Sequence, residues 1–196
     1  WAAVMTMMMS WKRNQSFEIR TALSMIGPRY VQMFDAGQGL TPQIAPQLYA
    51  DAGLTTIVSF NPTIEGWEGL LRQFGPLYVD IGFSGTGNTH AIIVKAIQGG
   101  GDADNTNITY VDPAIGRSVT ILFRTFLRNY EAEGAVNWPY TIVHWPAGSF
   151  SGTKSINNNN GYSRPFYDTG EHAILGEFIN NAVSGPLANT YALLPT

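Results

Sequence analysis

The first thirteen residues, WAAVMTMMMSWKR, are apolar at almost every position, with Thr6 and Ser10 as weakly polar breaks before Lys12 and Arg13. A helix without a polar face belongs in the middle of a domain, and the two cations stand at the favourable, negative end of its dipole. A second helix is predicted over 16–26, with Ser16 as its N-cap and Gly27-Pro28 as its stop. Thr41-Pro42 opens a third that ends near Gly53, and Asn61-Pro62 a fourth that runs to Gly75-Pro76. From there the period changes. PLYVDIGF (76–83), HAIIVKAI (90–97), NITYVD (107–112) and RSVTILF (117–123) are β-branched and aromatic runs bounded by Gly, Asn and Asp, and they read as strands. A short helix over 123–132 and one more strand over 140–145 follow. Residues 148–170 are rich in Ser, Asn and Gly and predict a long loop, and 171–183 a last helix. Helices first and an antiparallel sheet after them indicate an α+β fold.

Composition narrows the class. Of 196 residues, 44% are hydrophobic and 13% charged, which supplies a core and excludes a disordered chain. Net charge is −3 without a basic cluster, so no nucleic-acid partner is expected. The apolar runs are too short and interrupted for a membrane span. The sequence holds no Cys, which excludes disulfides and thiolate metal sites within these residues.

Candidate chemistry gathers at His90, delivered to the head of a strand by the Gly-rich GFSGTGNT, and at Asp112, which ends a later strand just before Pro113. If the two strands pair through the hairpin around GGGDADNT, both lie near one end of the sheet, where the carboxylate can orient the imidazole and stabilise its charged form. On these residues alone, a strand-opening His and a turn-capping Asp remain the simpler reading. Ser84 lacks the G-x-S-x-G spacing and the strand-to-helix context of a nucleophile elbow. GDADNTN (101–107) lacks the Gly and distal Glu of a calcium loop and reads as a polar turn. The Met5, Met7, Met8, Met9 cluster reads as core filling, and His144 as a packed or surface residue. His172 has no H-x-x-x-H partner that would suggest zinc.

The opening helix raises one further possibility, because a thiolate is favoured at a helix N-terminus. WAAVMTMMMSWKR resembles the helix of bacterial papain-like cysteine peptidases whose motif runs Cys-Trp-Ala-Ala. ALSMIGPRYVQMFDAGQGL, GWEGLLRQFGPLYVDIG, HAIIVKAI with its Gly/Asp turn, and ITYVDPAIGRSVTILFRTFLRNYE resemble the same family in the same order, including peptidases of the AvrRpt2 type found among bacterial effectors. The resemblance covers about residues 1–145 and does not extend over 146–196. It implies a single papain-like domain: a helical lobe (1–75), a sheet lobe (76–145), and a loop with C-terminal extension (146–196). It implies a nucleophilic Cys immediately before Trp1, His90 as general base and Asp112 as the orienting third member. Trp1 and Thr89, beside the nucleophile and the base, are the implied substrate contacts. No cofactor and no metal are expected. The expected partners are a peptide or protein substrate and an inhibitor or immunity protein, and secretion as a bacterial effector is the implied setting. Since the residues open on Trp1 with no initiator Met, a cropped or processed chain is expected ahead of a relative that has lost its nucleophile. Three functions compete: a peptidase; a cell-wall amidase or deamidating toxin using the same triad; and a catalytically dead binding or scaffold domain.

Overall fold

A computed structural model describes residues 1–13, 15–58, 60–82, 89–134 and 140–148. Among the described residues, six helices and six strands run in the order α1 (Ala2–Arg13), α2 (Ile19–Ile26), α3 (Pro28–Asp35), α4 (Ala45–Ala52), β1 (Thr55–Val58), α5 (Ile64–Phe74), β2 (Leu77–Gly82), β3 (Thr89–Gly99), β4 (Thr106–Asp112), β5 (Arg117–Leu122), α6 (Phe123–Gly134) and β6 (Thr141–His144). The strands form one sheet in the order β1-β6-β2-β3-β4-β5, antiparallel at every pairing. The fold is α+β.

Helix α1 is the interior element its sequence predicts: every residue from Ala2 to Trp11 is buried. Its two polar side chains are satisfied locally. Thr6 donates from Oγ1 to the carbonyl of Ala2 at 2.8 Å, and Ser10 Oγ accepts from the Phe17 amide at 3.3 Å. Lys12 leaves the core by laying its ammonium over the Trp145 ring, 3.9 Å from the centroid, while the Trp145 indole donates to the Met8 carbonyl at 3.1 Å. The methionines Met5, Met7 and Met8 are core filling, each buried to within 1%.

The sheet separates two apolar clusters. On one face, Tyr78, Ala91, Ile93, Val111 and Val143 pack with α1, α2, α3 and α4. On the other, Leu77, Val79, Ile81, Ile92, Val94 and Ile108 pack with α5 and α6. There Trp67 meets Phe126 and Tyr130 edge-on at centroid distances of 5.2 and 5.4 Å. Strand β2, covered on both sides, is therefore buried from Leu77 to Ile81, which accounts for a run that is apolar except at Asp80.

Several boundaries differ from the sequence reading. Helix α2 starts at Ile19, with Glu18 at the N-cap position, not Ser16; the N-cap makes no side-chain bond. Gly27-Pro28 does end α2, but Pro28 then occupies the first turn of α3, a helix the sequence reading lacks. Proline's fixed φ and missing N–H suit it equally to stopping one helix and starting the next. Helix α4 begins at Ala45, with Pro46 in the first turn, and ends on Gly53 in the left-handed region at φ 78°. The four-residue strand β1 is likewise absent from the sequence pattern. It is largely exposed and pairs with β6 almost ninety positions downstream, so no local pattern marks it. Ser84, His172, the loop predicted over 148–170 beyond Gly148, and the helix predicted over 171–183 lie outside the described residues.

Candidate active site

His90 and Asp112 come together. His90 Nε2 lies 2.6 Å from Asp112 Oδ1, with both side chains mostly buried, at 16% and 15% exposure. Their meeting depends on one irregularity. At its turn end the β3–β4 ladder pairs Ala96 with Thr109 and Ile97 with Ile108; beyond Lys95 it pairs Val94 with Tyr110 and Ile93 with Val111. Lys95 is thus the extra residue of a β-bulge. Continued without the bulge, the first register would set His90 and Asp112 on opposite faces, because strand side chains alternate. With it, they form a diagonal pair on one face, within side-chain reach. Bulges re-aim side chains in this way beside active sites.

Asp112 is held from its own turn as well, since Oδ1 accepts from the Ala114 amide at 2.9 Å. Burial pushes its carboxyl upward. The hydrogen bond and charge of His90, together with the amides of Ala114 and Ile115, outweigh that and hold it below the usual carboxylate range. It is therefore a carboxylate at neutral pH.

His90 and Thr89 border a cavity of about 240 Å³ whose walls include Trp1, Tyr78, Asp80 and Pro113. Trp1 stands at the start of α1, where its carbonyl accepts the first helical bond from the Met5 amide at 2.9 Å and its indole donates to the Gln38 carbonyl at 3.0 Å. All four residues singled out from the sequence are thus at or beside one cavity, which opens at the positive end of the α1 dipole.

Asp80, which the sequence reading did not single out, shares that cavity. It is 5% exposed, on the strand face packed with α1. Burial pushes its carboxyl up to about 6, against the opposing effects of the Tyr78 hydroxyl and His90. An acid in an otherwise apolar strand, LYVDIG, is the signal that could have found it.

Other candidates resolve as structural. His144 is buried, stacks on Phe74 at a centroid distance of 3.8 Å and bonds through Nδ1 to the Trp145 carbonyl. The Asp102 carboxylate is used within its turn, where it accepts from the amides of Asp104 and Asn105, both at 2.9 Å. Among the described residues, no group of three His, Cys, Asp or Glu is placed to hold a metal, and no helix is long and apolar enough to cross a membrane.

A family model described as papain-like cysteine protease AvrRpt2 matches residues 1–131, which takes in α1, His90 and Asp112. No curated protein and no solved structure matches the chain.

Proposed function

Because the chain belongs to the papain-like cysteine protease AvrRpt2 family, we propose that it carries the acid–base half of a peptidase site whose nucleophile is a Cys immediately ahead of Trp1. His90 takes the thiol proton through Nδ1. The thiolate, at the N-terminus of α1, attacks the substrate carbonyl, and the imidazolium returns its proton to the departing amine. Asp112 holds the ring in the tautomer this requires and offsets its charge. Trp1 and Thr89 meet the substrate on either side of the reacting atoms. The observation that carries the reading is the 2.6 Å His90–Asp112 contact on the cavity that Trp1 also borders.

The test is a chain with Cys placed ahead of Trp1, titrated with iodoacetamide. A thiol reacting near neutral pH at least ten times faster than a free thiol is the expected result, since such pairs lower thiol pKa values by one or more units. His90→Ala should abolish the difference. Reactivity equal to that of free cysteine, unchanged in His90→Ala, would sink the proposal. Peptide and muropeptide substrates in parallel then separate a peptidase from an amidase of the same mechanism.

A further inference from the structure

Asp80 is more than a neighbour of the site. It lies on β2 opposite Ala91, one position from the Ile81–His90 pair. Its Oδ1 accepts from the Tyr78 hydroxyl at 3.2 Å, and the Tyr78 ring packs on Tyr49 of α4, with ring centroids 5.3 Å apart. The Tyr78 hydroxyl fixes one carboxylate oxygen. The other, Oδ2, is fully buried with no hydrogen-bond partner among the described residues. Buried polar atoms are normally satisfied, and buried charges normally paired. The exception here belongs to a side chain on the wall of the cavity that His90 and Trp1 share.

The groups around Asp80 are Tyr78 on its own strand and, on the wall of the shared cavity, His90 of β3 and Trp1 just ahead of α1, while Tyr49 of α4 packs on Tyr78. We propose that Asp80 is a positioning residue of the reaction, a buried carboxylate that attracts the imidazolium of the Cys–His pair and opposes the thiolate, and so sets the pH at which the pair becomes reactive. The inference rests on the peptidase reading above. Burial raises Asp80's own ionisation above the usual carboxylate range. Below that ionisation the site faces a neutral acid, and above it a carboxylate. Like charges brought together disfavour the second ionisation, so the thiolate forms at higher pH with Asp80 present than without it.

The experiment follows the rate of iodoacetamide alkylation against pH in the chain with Cys ahead of Trp1, in parent, Asp80→Asn, Asp80→Glu and Tyr78→Phe forms, each confirmed folded by circular dichroism. In Asp80→Asn the midpoint of the rate profile should fall by about one pH unit, the usual scale for a close charge. Asp80→Glu should stay near the parent. Tyr78→Phe removes a bond that favours the carboxylate and should move the midpoint the same way by less, which carries the test if Asp80→Asn does not fold. A midpoint unmoved in the folded variants, or a uniform loss of rate at every pH, overturns the role of Asp80 while leaving the peptidase reading intact. A parent thiol no more reactive than free cysteine overturns both.

Discussion

Replacing Asp80 with Asn should change stability in opposite senses at acid and at neutral pH. An ordinary carboxyl of this type ionises at 3.8, and Asp80 in the fold at about 6, chiefly because burial penalises its charged form. The folded value is raised, so the contribution of Asp80 is full below the unfolded value and is lost as pH rises through the folded one. A difference of about two pH units, at 1.36 kcal/mol each, makes the loss about 3 kcal/mol between pH 4 and pH 7.5. Asparagine never ionises and escapes that loss, but its amide leaves a donor where Oδ2 is already unpartnered, at a cost of about 1–2 kcal/mol. The variant is therefore expected to be less stable than the parent by about 1–2 kcal/mol at pH 4 and more stable by about the same amount at pH 7.5. Urea unfolding followed by tryptophan fluorescence at several pH values reads both signs. A parent–variant difference that stays constant across the range would refute the reasoning, because it would mean that Asp80 ionises in the fold as it does in the unfolded chain.

Gly75→Ala should destabilise by about 2–4 kcal/mol through strain and overpacking. Its φ is +77°, and a Cβ there would stand 2.4 Å from the buried Trp11 ring, which ties the end of α5 to α1. Gly69→Ala is the contrasting control: that position is exposed in the same helix with nothing within 4 Å, and a gain of about 0.5–1 kcal/mol is expected in the same urea assay. Deleting Lys95 should remove the bulge, set His90 and Asp112 on opposite faces, and abolish the fast thiol alkylation of the Cys-bearing chain. Lys95→Ala keeps the extra residue and should retain it, and equal rates in the two variants would show that the bulge does not align the pair.

What the sequence disclosed and what it withheld follow from how far each feature reaches along the chain. The buried character of α1 was legible because it is written in ten successive residues, Ala2 to Trp11, with no polar stripe to orient them. Strands β2 to β5 are legible because their β-branched runs are bounded by turn residues, and α5 because Gly75 and the period before it agree, although its N-cap is Thr63 and not the Asn61-Pro62 expected to open it. Strand β1 was not, since its place in the sheet is set by β6 rather than by its own residues. The start of α2 was misplaced for a related reason. Ser16 has the chemistry of a cap, but its neighbour Phe17 gives its amide to Ser10 of α1, so the chain between the helices is committed to the first one before the second begins.

The site shows the same division more sharply. His90 and Asp112 could be named from their places at the ends of two strands, and hairpin pairing could bring those ends together, but pairing alone does not decide which face each side chain takes. That is settled by parity, and parity depends on a single inserted residue in the middle of β3. HAIIVKAI read as an ordinary strand gives no hint that Lys95 is the one to be left out of the ladder. The same bulge keeps Ile92, Val94 and Ile97 on one side, in the cluster under α5 and α6. The residue that aligns the acid with the base therefore also lets β3 fill one core along its length. A change that restored a regular ladder would turn either the Ile97 end of the strand or the His90 end the wrong way. Site geometry and core packing thus constrain the same backbone irregularity, which ties the proposed chemistry to the stability of the sheet rather than to the turn that carries His90.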